Sequence, residues 1–341
     1  ISLGLVGSEM CIRDRYCLPE KLPKLYKYCS FSDYALNDIL TGYLTATRIG
    51  EFNDLFDGTI RHFETQESRA QESENEWSEL DTLAKSASYQ LDDVHDDFIR
   101  GRRRSLKTES RAIFRILDNF NTYACCLSSI NNSTLMWSHY AASNTGICIE
   151  YDFNLAKIKN TIKNAIFPIA YSKQPINISD LLQDKKEKIF KHSIDAALLC
   201  AAINKADIWN YEHEWRWIIM LPIQRYCELR RIPLSAPKPS AIILGYHILK
   251  NCFYYDRNNQ NEINRAQKNM DNLIKLLSYV KDNNILLYIT IPIPGEYGLS
   301  PHRIDVTILK RFVESKFIAC RPEDMHNYYA IHDELMDILE S

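Results

Sequence analysis

The chain has 341 residues, of which 45% are hydrophobic and 25% are charged, a composition typical of a globular protein with a large buried core. Its net charge of −3 excludes a general electrostatic attraction to nucleic acid or to anionic membranes, and no apolar run approaches the ~20 residues that a membrane-spanning helix needs. The ten cysteines include no CxxC pair, which argues against a zinc framework and favours reduced thiols in the cytoplasm.

Residues 1–15 differ in character from the rest of the chain. The sequence ISLGLVGSEMCIRDR does not begin with Met and resembles translated sequencing-adapter read-through. Its short apolar part precedes its charges, which is unlike the order in a signal peptide. We therefore expect residues 1–15 to be a non-native leader, followed by one domain over residues 16–300.

The start of this domain predicts a strand, a helix and a second strand. The first strand spans Leu25–Tyr28, and Gly42 ends a helix whose apolar residues recur at helical spacing. The second strand spans Leu44–Thr47. Asn53 belongs to the polar cluster EFND that follows, where such residues either form turns or act as ligands.

Residues 61–111 predict a mostly exposed helical insertion, because acidic residues dominate there and apolar residues such as Leu80 and Ala84 keep helical spacing. Within this insertion, the basic run Arg100–Arg104 follows the acidic residues and could bind phosphates. The other interpretation is a solvated helix face that the preceding acidic residues neutralise.

The stretch Leu135–Asp152 predicts a short helix, a tight turn and a strand. Ser133 can cap the helix, and Met136 and Tyr140 lie four residues apart on one face. After the turn the period changes from helical to two. We expect this unit to pack in the core, with His139 and Tyr140 either as pocket walls or as ordinary helix-face residues.

A second polar pattern occurs where the chain alternates after Tyr211. Glu212, Glu214 and Arg216 are expected on one face of a strand, and the apolar and aromatic residues between them on the other. Two carboxylates beside one arginine suit general-base and charge-stabilising chemistry. The alternative is a surface ion-pair ladder on an edge strand.

The C-terminal part predicts a strand at Ala241–Leu244, a long amphipathic helix and a strand at Ile285–Ile291, which together suggest a crossover unit. A helical tail is expected over residues 301–341. The fold class predicted for the whole chain is therefore α+β, with a mixed or split β-sheet core and flanking helices.

Four blocks of the chain together resemble a bacterial family known as domain of unknown function 2971. They occur in the family's order, and they are Leu25–Tyr28 with Phe52–Asp54, Cys126–Ser128 with Met136–Ala141 and Gly146–Asp152, Trp209–Arg216, and Ala241–Gly245.

The opening strand, helix, Gly and strand also resemble, more weakly, the start of ADP-ribosyltransferase folds. That resemblance implies a cofactor-binding residue on the first strand, which is Lys27 here. It implies an aromatic residue that stacks on nicotinamide, Tyr140 or Tyr43, and a late acid, Glu212 or Glu214.

The implied function is ADP-ribosyl transfer or hydrolysis of NAD by a cytoplasmic effector in toxin or phage-defence biology. Glu214 and Glu212 would be catalytic, and the cofactor NAD would be bound by Lys27, Tyr140, His139, Asn53 and Arg216. No metal is expected, because the nine histidines show no HExxH or other zinc spacing. The acceptor stays open. The alternative is a non-enzymatic nucleotide-sensing or protein-interaction module.

Overall fold

A computed structural model describes residues 21–61, 113–115, 122–155, 160–177, 198–221, 229–256, 258–319 and 328–340. The expected leader at 1–15, the body of the insertion at 61–111 and the run Arg100–Arg104 lie outside these residues. The strands Thr59–Arg61 and Ile113–Arg115, which flank the insertion, are described and pair antiparallel with Thr59 opposite Arg115.

The described elements confirm the α+β class with a mixed sheet and several helices. The helices are α1 (Asp33–Thr41), α2 (Thr134–Tyr140), α3 (Asn160–Lys163), α4 (Lys250–Phe253), α5 (Gln260–Asp282), α6 (Val306–Ala319) and α7 (Tyr328–Glu340). The strands are β1 (Leu25–Cys29), β2 (Tyr43–Arg48), β3 (Thr59–Arg61), β4 (Ile113–Arg115), β5 (Thr122–Ser128), β6 (Ile147–Tyr151), β7 (Ile166–Pro168), β8 (Ala170–Ser172), β9 (Ile176–Asn177), β10 (Asn204–Ala206), β11 (Glu214–Met220), β12 (Arg231–Ser235), β13 (Ala241–Leu244), β14 (Leu286–Pro292) and β15 (Leu299–Arg303).

Strand β5 organises the large mixed sheet. Along one edge it pairs with β11 over seven residues, from Ser128 opposite Glu214 to Thr122 opposite Met220. Its other edge is divided, because the start of β5 pairs with β2 and its end pairs with β1. The sheet continues from β1 through β6, β13 and β14 to β15, and β12 lies outside β2. Strands β1 and β2 thus share one edge of β5.

The expected crossover unit is confirmed by the parallel pairing of β13 and β14, which α5 connects. The apolar stripe of α5 faces the sheet, and Leu273, Leu276 and Leu277 are each 0% exposed. Burying a leucine side chain of this kind contributes about 1.5–3 kcal/mol relative to an exposed one. The helix therefore holds the parallel pair in the core.

The predicted tail over 301–341 was wrong at its start, because residues up to Arg303 belong to β15 and not to a helix. Pro301 can occupy this strand because β15 is the last strand in the order of the sheet, where a missing N–H breaks no inner ladder. Helices α6 and α7 follow, and Leu309, Val313 and Leu335 join the main hydrophobic core. The expected boundary at residue 300 thus falls inside a strand of the main sheet.

The turn after α2 depends on Gly146 because of limited space and not because of its backbone conformation. Three consecutive residues, 142–144, have positive φ, whereas Gly146 does not. Gly146 is needed because of close approach: a Cβ there would lie 2.3 Å from the carbonyl oxygen of Cys29 and 2.8 Å from that of Ala141. Backbone atoms on two sides leave no room for a side chain.

We expect Gly146→Ala to lower the free energy of unfolding by about 3 kcal/mol, the upper range for overpacking, because backbone and not a flexible side chain must move. Gly295→Ala is the control, since its Cβ meets no atom within 4 Å and only its φ of 79° is unfavourable, at a cost of about 1 kcal/mol. Urea denaturation measures both. Equal losses in the two variants would contradict this role of Gly146.

Candidate functional site

The core holds β11 in place by alternate residues, as its sequence predicts. Trp215 and Trp217 belong to the main hydrophobic core, and both are buried. Glu214 and Arg216 therefore project from the other face, where Arg216 lies opposite Cys126 of β5. Two large apolar anchors thus fix the direction of the two charged side chains between them.

Arg216 is 0% exposed and uses all five of its N–H donors inside the protein. It donates two bonds to the Asp57 carboxylate (2.7 and 2.6 Å), two to Glu214 (2.7 and 3.1 Å) and one to the Ala202 carbonyl (2.7 Å). The guanidinium carbon lies 5.2 Å from the centre of the Phe52 ring. No donor remains for a cofactor, so this arginine holds Glu214 in position.

Lys205 joins the two glutamates, and nothing in its local sequence singles it out. Its ammonium donates to Glu212 at 2.5 Å and to Glu214 at 3.0 Å, and it lies 5.0 Å from the centre of the Trp209 ring. Together with Arg216 and Asp57, these residues form a buried ion network. Its two cations and three carboxyl groups are each less than 8% exposed.

Glu212 does not share a strand with Glu214, so this part of the predicted alternation was wrong. Residues Asp207–Glu212 form a 3-10 helix, and His213 follows with a φ of 45° before β11 begins. The reversal brings the Glu212 carboxylate back to Lys205. Its other oxygen accepts a hydrogen bond of 2.5 Å from the Tyr140 hydroxyl.

The network shifts the pKa values of Glu212 and Glu214 in opposite directions. Burial would raise the pKa of Glu214, but the charges of Arg216 and Lys205 outweigh it and lower that pKa to about 2. Burial raises the pKa of Glu212, and the nearby Glu214 charge adds to this effect while Lys205 opposes it. Burial also works against a charge on Lys205, yet the two glutamates raise its pKa. Glu214 is thus held ionised, and Glu212 is the carboxyl group that changes protonation more readily.

Of the remaining predicted site residues, some lie near Glu212 and others do not. Tyr140 contacts Glu212 directly, and the exposed His139 contributes a ring nitrogen 3.3 Å from the Tyr211 hydroxyl. Asn53 is exposed, while its neighbour Asp57 belongs to the network. Lys205 was not among the predicted residues.

Lys27 does not meet the two glutamates. Ser128 pairs with Glu214 on one side and with Tyr26 on the other, so these three side chains share a face of the sheet. Lys27 follows Tyr26 and therefore lies on the opposite face. Its ammonium donates to the Cys126 carbonyl at 3.0 Å.

An open groove of about 410 Å³ is lined in part by the chain segment on either side of Glu212. Tyr211 and His213, the two neighbours of Glu212 in the chain, form part of its wall. The opposite wall comes from the β14–β15 hairpin and includes Tyr297 and Leu299. Glu212 and Tyr140 do not line the groove, and the link between this pair and the groove runs through Tyr211, whose hydroxyl contacts His139.

Two further observations concern the described residues only. They contain no group of three or more His, Cys, Asp or Glu side chains arranged to hold a metal ion. None of their helices combines the length and apolar character needed to cross a bilayer.

Comparison with known families finds one similarity. Residues 136–217 match the family described as "Protein of unknown function (DUF2971)". We call residues 136–217 the DUF2971 segment because of this similarity. The DUF2971 segment contains Tyr140, Lys205, Glu212, Glu214 and Arg216 and so carries most of the ion network. No curated protein and no solved structure matches the chain.

We expect Glu214→Gln to lower the free energy of unfolding by about 3 kcal/mol near neutral pH, because two buried cations lose a charged partner. The pKa of Glu214 is lowered in the folded state. Its contribution is therefore present above the ordinary value of 4.5 and is lost as the pH falls toward about 2.

Urea denaturation at about pH 7 and about pH 3.5 tests this sign, since wild type and variant should differ less at the lower pH. Glu314→Gln is the control, because that side chain is 41% exposed and makes one ion pair within its helix. It should change stability by less than about 0.5 kcal/mol. A difference between the wild type and Glu214→Gln that is the same at both pH values would contradict the assignment.

Proposed function

We propose that the DUF2971 segment forms a nucleotide site at the outer end of the ion network, with NAD as the ligand and Glu212 as the reactive carboxyl group. The observation that carries the proposal is the position of Glu212. It is the member of the network that contacts Tyr140 and stands next to the aromatic groove at Tyr211.

Glu212 suits the role better than Glu214. Both oxygens of Glu214 accept bonds from Arg216, and one also accepts a bond from Lys205, which leaves that carboxylate surrounded by the protein. Glu212 has one oxygen on Lys205 and one on a half-buried tyrosine. A ligand that displaced the Tyr140 hydroxyl would reach the carboxylate without disturbing the buried arginine.

Cleavage of NAD at its N-glycosidic bond fits this arrangement. The bond between the ribose C1′ and the nicotinamide nitrogen breaks, and its electron pair leaves with nicotinamide. Positive charge develops on the ribose, and a carboxylate in a site with little water stabilises that charge strongly. Water or an acceptor hydroxyl then adds to C1′ and loses a proton. The rings of Tyr211 and His139 offer a surface on which nicotinamide or adenine could stack.

A non-enzymatic nucleotide-binding module is the second candidate. It is favoured by the protein partners that already occupy both oxygens of Glu212. Such a module would bind the nucleotide in the groove and return it unchanged.

Nicotinamide release from NAD by the purified chain, measured by chromatography beside calorimetric binding, tests both candidates. We expect Glu212→Gln to reduce turnover by about 100-fold, as loss of a charge-stabilising group does, and to change the dissociation constant much less. Tyr140→Phe should keep the fold and leave one oxygen of Glu212 without its hydrogen bond from the Tyr140 hydroxyl. Glu314→Gln, which is remote from the site, should match the wild type.

Each outcome has a consequence. Turnover that Glu212→Gln leaves unchanged contradicts the role of Glu212. Binding without turnover selects the non-enzymatic module. If the wild type neither binds NAD nor releases nicotinamide, NAD is not the ligand.

A further inference from the structure

The docking surface of the C-terminal helix α7 contains a cluster of imidazole and phenol rings. His332 of α7 is 5% exposed, and it stacks on Tyr328 of the same helix with ring centres 5.5 Å apart. Tyr246 meets it edge-on at 4.5 Å, and His247 lies 5.6 Å away. None of the residues already discussed as a candidate site belongs to this cluster.

The His332 ring is unusual because it is buried without hydrogen bonds between its nitrogens and the described residues. Within the described part of the chain, neither of its ring nitrogens has a hydrogen-bond partner. A buried polar group without a partner costs about 1–3 kcal/mol, and a charged one costs more. The neutral ring therefore already lowers the stability of the interface. An added proton would place an unpaired charge there and lower that stability further.

The second histidine belongs to the body of the protein. The backbone N–H of His247 donates to the Asn144 carbonyl in the turn after α2. Its ring nitrogen Nδ1 lies 2.6 Å from the Tyr328 hydroxyl of α7. When Nδ1 accepts that hydrogen bond, protonation of the ring removes the acceptor. The contact can then persist only if the Tyr328 hydroxyl turns to accept the new Nδ1–H, which leaves the hydroxyl proton without this acceptor between α7 and the body.

We propose that protonation of His332 and His247 releases α7 from the body of the protein at mildly acidic pH, while the sheet stays folded. The helix is a good candidate for separate release because it is the last described element of the chain. Two cationic rings 5.6 Å apart would also repel each other across the docking surface.

Few described charges around the cluster could compensate the added protons. On α7, Asp333 favours a charged His332, but it is exposed and therefore screened. On α4, Lys250 disfavours a charged His247 and lies over the Tyr254 ring. The other groups facing the cluster are neutral phenols, and Lys316 of α6 pairs with Glu334 of α7.

The direction of the pH dependence follows from these surroundings. Burial lowers the pKa of His332, and the charge of His247 adds to the effect. Burial and Lys250 lower the pKa of His247. Each ring is therefore neutral when docked, so docking is strongest above the ordinary value of 6.5 and weakens as the pH falls below it.

Hydrogen exchange followed by mass spectrometry on the full chain tests the proposal between about pH 8 and about pH 5, with rates corrected for the intrinsic pH effect. Each histidine ring has one pKa when α7 is docked and a higher one when α7 is released. We expect protection of α7 peptides to fall by about tenfold for each unit of difference between these two pKa values. Peptides from β11 and β13 should keep their protection. In His332→Phe, which keeps an aromatic ring without a titrating proton, most of the pH dependence should disappear.

His302→Gln provides the matched control, because that histidine is exposed on β15, and it should behave as the wild type does. Unchanged α7 protection in the wild type across this range would overturn the proposal. So would a loss shared equally by α7 and β13, or an identical loss in His332→Phe. If His332→Phe fails to fold, an NMR titration of the wild-type His332 ring decides: a midpoint below 6.5 supports the proposal, and one at or above 6.5 overturns it.

Discussion

The buried charge of Arg216 is the constraint on which the organisation of the site depends. Taking a guanidinium out of water costs several kcal/mol unless its donors find acceptors in good geometry. Here three separate parts of the chain supply them: Asp57 in the turn before β3, Ala202 at a helix end and Glu214 on β11 itself. The position of each part is thereby tied to the other two.

The same network divides the polar site into an inner end around Arg216 and an outer end at Glu212, whose chain neighbours Tyr211 and His213 line the groove. Asp57, Arg216 and Glu214 have their hydrogen-bonding groups engaged by one another, which suits a structural role. Glu212 and Tyr140 lie where the network reaches half-buried aromatic surface. Our proposal therefore places the ligand at the outer end, while the inner end holds Glu214 ionised and in position.

The two faces of the sheet separate the charged residues of the network from the apolar residues of the core. Strand β11 turns two tryptophans toward the main core and two charged residues toward the network, and β5 continues that division to β1. Lys27 lies one residue out of phase with Glu214 in this register, so it cannot join the glutamates without a bulge. Helix α7 packs with the main core, and its residues His332 and Tyr328 contribute their rings to the cluster with Tyr246 and His247.

Features that depend on local pattern could be predicted from the amino-acid order. They include the period of α5 and the alternation within β11, because hydrophobic spacing dictates which face of an element is buried. The resemblance to DUF2971 comes from the four sequence blocks and not from this spacing. The strand at residues 299–303 could not, because a proline in an edge strand resembles a loop in the sequence.

Which charged groups meet was settled by the folded chain alone. Asp57 and Arg216 are 159 residues apart in the chain, and Lys205 carries no local signal of its contact with two glutamates. The left-handed backbone at His213 redirects Glu212 from the strand that its spacing suggested. Such pairings follow from the need to neutralise buried charge across distant segments, and that need exists only once the sheet has brought those segments together.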